Sequence, residues 1–321
     1  MDRKFEKTLI AKILSLLPAG ENPVTFLMNT LSLSRESVYR RIRGDNMFTF
    51  GEIITLSKTL GFSIDRLADS VPDNNAVFHL FGDVDTSPEE TFLQMLHILY
   101  NPWLNNQHIE KREVTLSLNK IYPLLYPGHP HLMKFFYYQW MYEIQKHQYN
   151  FSYDDTELPQ SVLELSQNVP WITLQTFDVT IISEKDMVVN TLRKVEYFHR
   201  RNLISAASIA HVKNDLLHVI DQIERFITMG NTQQGGRVEF YLSMFDIPSN
   251  SIYANINGKT TSFLWVDPAN LMSTSNPTYC AMHLRWLESL KLYATSIARS
   301  NYMAQSEFFI RQRNFLDSIL V

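Results

Sequence analysis

Apolar positions in the first seventy residues recur every three to four positions, and capping or turn-forming residues interrupt them at short intervals. Leu9 and Ile13 follow Phe5 at this spacing, which is the period of an amphipathic helix. The pair Asn22-Pro23 is typical of a helix start, because asparagine caps the first turn and proline suits its first position. The pattern predicts five short helices, over residues 5–17, 22–29, 34–44, 49–60 and 63–67.

The third predicted helix, Ser34 to Gly44, has one apolar and one basic face. Ser34 is a suitable N-cap because its hydroxyl accepts from a backbone N–H of the first turn, and Gly44 suits a left-handed residue at the end. At 100° per residue Val38 and Ile42 fall on one face. The opposite face and its flanks carry Glu36, Ser37, Arg40, Arg41 and Arg43. One face is therefore expected to pack and the other to be exposed.

The basic character of the chain is concentrated in this helix. Ser34 to Gly44 contains four arginines and one glutamate, whereas the 321-residue chain has a formal net charge of −4 and a pI near 6.2. This balance argues against a broad polyanion-coating surface and confines any nucleic-acid contact to a patch. Arginine can grip a phosphate or bond O6 and N7 of guanine in the major groove. Taken alone, the helix fits an ordinary solvated basic surface equally well.

The residues around this helix carry a family resemblance. Leu33 to Gly44 reads Leu-Ser-Arg-Glu-Ser-Val-Tyr-Arg-Arg-Ile-Arg-Gly, and Phe48 to Leu67 reads Phe-Thr-Phe-Gly-Glu-Ile-Ile-Thr-Leu-Ser-Lys-Thr-Leu-Gly-Phe-Ser-Ile-Asp-Arg-Leu. Over residues 5–68 the chain is similar to phage-repressor-like bacterial helix-turn-helix transcriptional regulators, of the lambda-repressor-like, xenobiotic-response-element type. It departs from them at Ser32, where they have glycine, and at Phe26-Leu27-Met28, where they have a Leu-Ala pair.

The resemblance implies that the start of the Ser34 helix enters the major groove of double-stranded DNA. Arg41 and Arg43 are then expected to hold phosphates, with Lys58 as a weaker candidate. Tyr39 either bonds a phosphate through its hydroxyl or closes the core. The residues expected to contact base edges are Arg35, Glu36, Ser37 and Arg40. Ser34 is also included in the predicted DNA-binding set.

A change in composition near residue 71 predicts a domain boundary. Val71-Pro72-Asp73-Asn74-Asn75 is polar and contains a proline, as linkers do. Basic residues outnumber acidic ones before it, and the reverse holds after it. We therefore expect a helix-turn-helix domain over residues 1–70, a linker over 71–85 and a second region over 86–321 that does not coat DNA.

The sequence pattern predicts that the second region is largely helical with a small antiparallel sheet. Strands are expected over 237–245, 251–256 and 260–266, the last two joined by the hairpin signal Asn257-Gly258, with Asp267-Pro268 closing the sheet. Residues 113–121 alternate weakly and are a further extended candidate. The predicted fold class is mainly α, α+β overall, or a helical region with a β insertion. Helices are expected over 87–100, 130–148, 162–165, 186–202, 205–229, from either 276 or 278 to 300, and over 304–320. The second of them is so aromatic that it is either buried or forms an interface.

The second region lacks the sequence signatures of an enzyme active site. It has no phosphate-binding glycine loop, nucleophile elbow or His-Glu-x-x-His motif. His129 and His131 do not fall on one helical face and have no spaced acidic or cysteine partner, so no metal site is expected. Cys280, the only cysteine, lies among apolar residues and is expected to be a buried structural thiol. Neither a metal ion nor an organic cofactor is predicted.

These observations favour a cytoplasmic, sequence-specific transcriptional regulator that is not an enzyme. The first residues do not resemble a signal peptide, and no stretch is long and apolar enough to span a membrane. A single reading helix contacts few base pairs, so a homodimer on two half-sites is expected, and the second region would dimerise, sense an unidentified effector, or both. Two alternatives stay open: an interaction adaptor built on a repurposed repressor-like domain, and a DNA-binding module fused to an unrecognised enzyme domain.

Overall fold

The computed structural model of the chain divides into two compact units, residues 1–75 and 76–321. The structure describes residues 3–17, 21–62, 64, 76–80, 87–104, 112–121, 123–126, 128–144, 151–169, 178–231, 235–266 and 270–318.

The first unit is a bundle of short helices around one apolar core. Its helices are α1 (Arg3–Leu16), α2 (Pro23–Leu31), α3 (Arg35–Ile42) and α4 (Phe50–Leu60). They match the first four predicted helices, and the fifth, over residues 63–67, lies outside the described residues apart from Ile64. The core consists of Leu9, Ile13, Leu27, Val38, Phe48, Ile53, Leu56 and Phe62.

Side-chain caps define the helix boundaries in this unit, as the sequence predicts. The Oδ1 atom of Asn22 accepts from the backbone N–H of Val24 at 2.9 Å. Thr49 and Glu52 form a reciprocal capping box, in which each side chain accepts a backbone N–H of the other residue. Ser32, directly after α2, is left-handed with φ 52°, a conformation that favours glycine. Local chemistry therefore accounts for where these helices begin and end.

The second unit combines helices with a single large sheet. Its helices are α5 (Pro88–Leu104), α6 (Pro130–Ile144), α7 (Gln160–Asn168), α8 (Met187–Arg200), α9 (Ala206–Met229), α10 (Pro277–Leu292) and α11 (Tyr302–Ser318). Its strands are β1 (His79–Leu80), β2 (Arg112–Leu118), β3 (Asp178–Ser183), β4 (Val238–Leu242), β5 (Ser251–Ile256), β6 (Lys259–Trp265), β7 (Leu271–Thr274) and β8 (Thr295–Ser296). Short 3₁₀ turns occupy Pro123–Leu125 and Arg299–Asn301.

The strand order shows that the predicted fold class is wrong. The order is β1-β7-β6-β5-β2-β3-β4-β8, with β2, β3 and β4 parallel to one another and the other pairs antiparallel. The segments joining the parallel strands contain α6 and α7, and then α8 and α9. Within the described residues, eleven α-helices and an eight-stranded mixed sheet make this an α/β fold, not a mainly α fold with a small antiparallel sheet.

The central strand β3 is the main element that sequence reasoning missed. Its side chains enter apolar clusters on both faces of the sheet, Ile181 on one side and Ile182 on the other. The strand is six residues long, and its apolar-polar alternation ends at the adjacent pair Ile181 and Ile182, which are buried on opposite faces, so periodicity alone does not identify it. Its partners β2 and β4 are also far away in sequence.

Some local predictions in the second unit are confirmed and others are wrong. Asn257 and Gly258 form the expected hairpin turn, with φ values of 51° and 83°. The sheet does not close at Asp267-Pro268, because β7 follows. The helix expected over 276–300 ends at Leu292, and β8 then pairs with β4.

The sheet is covered on both faces. The larger apolar cluster joins its inner residues to α5, α6, α8, α9 and α11. On the other face α10 packs over β3 and β5, with Cys280, Leu287 and Leu290 buried. The aromatic helix α6 belongs to the larger cluster, and Phe135 and Tyr138 are fully buried, so these rings form core. No helix in the described ranges combines the length and apolar character that crossing a bilayer requires.

Candidate nucleic-acid interface

Helix α3 is held by one face and exposes the other. Val38 is 1 % exposed within the core of the first unit. Ser34 caps the helix, its Oγ accepting from the backbone N–H of Ser37 at 3.3 Å, and Gly44 is left-handed with φ 77°. The connection from α2 consists of Ser32, Leu33 and Ser34. A helix with defined caps thereby exposes one face at the surface.

Most residues of the predicted DNA-binding set lie on the exposed side. Ser37 is half-buried, and Tyr39 is 41 % exposed, so its ring does not close the core. The guanidinium of Arg35 lies 5.8 Å from the centre of the Tyr39 ring, which is cation–π distance. The exposed members are Ser34, Arg35, Glu36, Tyr39, Arg40 and Arg43.

Two of the arginines make exposed ion pairs. Arg40 donates to Glu36, one turn earlier, at 2.8 Å, and Arg43 lies 3.0 Å from Asp45. Their side chains are 52 % and 64 % exposed. Such pairs contribute only about 0 to 1 kcal/mol. Both guanidinium groups are therefore free to exchange their carboxylate for a stronger anionic partner.

Arg41 has a different environment. Its side chain is 13 % exposed and makes two hydrogen bonds to Glu52, from Nη2 at 2.8 Å and from Nε at 3.0 Å. This contact joins α3 to the start of α4. The structure therefore places Arg41 inside the unit, apart from the exposed arginines, while Lys58 is exposed in the last turn of α4.

A cleft in the second unit is a candidate effector site. It has a volume of about 770 Å³, within the range of small-molecule sites. Three cationic side chains against one carboxylate give its wall a positive balance. The cleft is lined by Asn119, Lys120, Tyr142, Glu143, Asn190, Arg193, Lys194, Tyr197 and Phe198.

A buried polar network under α10 was not predicted. The His283 ring bridges two strands, with Nε2 2.8 Å from Ser251 Oγ and Nδ1 2.9 Å from Ser262 Oγ. Ser117 Oγ lies 2.7 Å from Ser251 Oγ. Burial lowers the pKa of His283 to about 4, so the ring is neutral and anchors α10 to the sheet. Cys280 is buried beside this network, which confirms its predicted burial.

The chain matches none of the protein-family models, curated proteins or solved structures with which it was compared.

Proposed function

We propose that this protein is a cytoplasmic, sequence-specific DNA-binding transcriptional regulator. Its first unit acts as a repressor-like helix-turn-helix domain, and its second unit serves dimerisation, effector sensing, or both. The observation that carries the proposal is that α3 has one set of side chains packed into the unit and another set exposed. Val38 and Arg41 fix the helix to the unit, while Arg35, Arg40 and Arg43 remain exposed.

The exposed side chains suit the two tasks of DNA binding. Arg35, Glu36 and Arg40 lie in the part of α3 that would enter the major groove, where an arginine bonds guanine and a glutamate accepts from the N4 amino group of cytosine. Arg43 follows the last helical residue and suits a phosphate. The left-handed Ser32 allows the short connection from α2, which resembles the turn of helix-turn-helix regulators.

We also propose that the protein binds DNA as a homodimer. One reading helix covers only a few base pairs, and two copies about 34 Å apart would read two half-sites on one side of the duplex. The positively lined cleft near Arg193 and Lys194 supports sensing of an anionic small molecule.

The test is binding of the full chain to DNA fragments selected from a random pool. Charge removal by the triple substitution Arg35→Ala, Arg40→Ala and Arg43→Ala should abolish selective binding and flatten the fall of affinity with salt, because released counterions scale with phosphate contacts. The matched control is Arg200→Ala in the second unit. Arg200 pairs with Glu196 one turn earlier, as Arg40 does with Glu36, and is 76 % exposed.

The control variant should bind as the wild-type chain does. A wild-type affinity that does not change with salt would contradict the proposal and favour a protein-interaction adaptor. An equal loss of selective DNA binding in the triple variant and in Arg200→Ala would show that α3 is not the recognition helix.

A further inference from the structure

Three potential metal ligands converge where α6 meets α9. His129 directly precedes α6, and Asp215 and His218 lie one turn apart on α9. A ligand atom from each of the three lies within 4.8 Å of those of the other two. The sequence separation of His129 from α9 explains why no acidic partner was expected for it. Among the residues that the structure describes, this is the one such group of three.

The carboxylate of Asp215 is buried where α9 packs against α6. The residue is 6 % exposed, and its Oδ2 accepts from the backbone N–H of Leu132, in the first turn of α6, at 2.9 Å. No lysine or arginine of the described ranges forms an ion pair with Asp215. A buried carboxylate without a cationic partner is costly, and a metal ion between it and two imidazoles would supply the missing charge.

The surroundings of the group suit a metal with an open coordination position. His129 is 9 % exposed, whereas His218 is exposed, so the group opens to solvent on one side. Gln222, one turn beyond His218, places its Oε1 3.3 Å from His129 Nε2, so this amide oxygen is a further potential ligand. Imidazole nitrogen and carboxylate oxygen are the usual ligands of Zn²⁺, which would draw them to about 3.3 Å from one another in a tetrahedral site. The exposed His218 can make this adjustment by rotating its side chain.

We propose that His129, Asp215 and His218 bind a first-row divalent transition metal of the zinc class. The ion ties the segment before α6 to the middle of α9, two helices that pack in the core of the second unit. Binding should therefore raise the thermal stability of the second unit. This inference does not depend on the proposed DNA binding, and its test does not involve DNA.

The experiment uses the full chain without an affinity tag, freed of metal with a chelator that is then removed. Zn²⁺ is titrated in competition with a chromophoric chelator, and Co²⁺ is followed by its visible absorption, which reports coordination directly. We expect one ion per chain at micromolar metal and a higher midpoint of thermal unfolding. His218→Ala and Asp215→Asn should each weaken binding at least about tenfold. Asparagine keeps an oxygen for the Leu132 N–H, so the helix contact survives.

His211→Ala is the matched control. His211 is also exposed on α9, one turn before Asp215, but it stacks on His131 at 4.6 Å between ring centres and is not one of the three ligands. The affinity of the His211→Ala variant for Zn²⁺ should equal that of the wild-type chain. Absence of Zn²⁺ binding by the wild-type chain would overturn the proposal, as would unchanged affinity in both ligand variants or an equal loss in His211→Ala. Circular dichroism of each variant separates loss of the site from loss of the fold.

Discussion

Arg41 of α3 and Glu52 of α4 form a two-pronged ion pair, with N–O distances of 2.8 and 3.0 Å and side chains only 13 % and 14 % exposed. The same carboxylate accepts from the backbone N–H of Thr49. Partial burial raises the pKa of Glu52, but the hydrogen bonds from Arg41 and Thr49 and the charge of Arg41 outweigh it and hold this pKa below 4.5. The pair's contribution is thus complete at neutral pH and is lost as the pH falls through the lowered value.

Arg41→Ala should destabilise the first unit by about 2 kcal/mol, because it leaves a partly buried carboxylate without its partner. Urea unfolding followed by far-ultraviolet circular dichroism measures this loss. All five tryptophans follow residue 100, so their fluorescence reports the second unit and should keep its midpoint. Arg43→Ala is the control, since its exposed pair with Asp45 should contribute less than about 1 kcal/mol. Similar losses in the two variants would contradict the structural role of Arg41.

Ser32→Gly should stabilise the first unit by about 1 kcal/mol. Ser32 adopts φ 52° and ψ 42°, where a Cβ atom is strained and glycine is not. The same unfolding experiment measures the gain, and Ser32→Ala provides the control because it keeps the Cβ atom. A gain of similar size in Ser32→Ala would show that the side chain, and not the backbone angle, causes the effect.

The helix caps and the hairpin turn, which neighbouring residues determine, were predicted correctly from the sequence. The caps at Asn22, Ser34 and Thr49 and the turn at Asn257-Gly258 each depend on a few adjacent positions, and the structure confirms them. The fold class depends on β3 pairing with strands far away in sequence, which no local pattern specifies. The exposed face of α3 follows from helical periodicity, but the burial of Arg41 requires its contact with α4. The group of His129, Asp215 and His218 was likewise not predicted, because it depends on contacts between residues far apart in sequence.

Acidification should destabilise the second unit through His283. With a pKa of about 4 in the folded state and 6.5 in the unfolded chain, the ring is neutral in both states above pH 6.5 and has no effect there. Between pH 6.5 and 4 only the unfolded chain takes up the proton, so stability falls with pH by a total of about 3 kcal/mol. Tryptophan fluorescence measures this fall, since Trp286 stacks on the His283 ring at 5.9 Å.

His283→Gln should reduce the pH dependence, because glutamine keeps hydrogen-bonding groups and takes up no proton in this range. The matched control is His97→Gln, at an exposed position on α5, which should leave the pH dependence unchanged. If His283→Gln retained the full slope between pH 6.5 and 4, other groups would be responsible for it.

Arg40 and Arg43 should affect DNA binding in different ways. Arg40 lies within α3, on the part proposed to enter the groove, and Arg43 lies beyond its last helical residue. Arg40→Ala should reduce the preference for a selected fragment over random DNA by about 2 kcal/mol, or roughly thirtyfold, as expected for loss of an arginine–guanine contact. Arg43→Ala should weaken binding to both DNAs equally and lower the slope of affinity against salt by about 1.

Gel-shift titrations on both DNAs at several salt concentrations separate the two effects. Loss of Arg40 also frees Glu36, which is 76 % exposed, so the added repulsion from DNA would weaken binding to both sequences. The double variant with Glu36→Gln removes that repulsion and should keep the loss of preference seen with Arg40→Ala. If the double variant instead recovered wild-type preference, Arg40 would act only by neutralising Glu36, and the assignment of Arg40 to a base edge would be wrong.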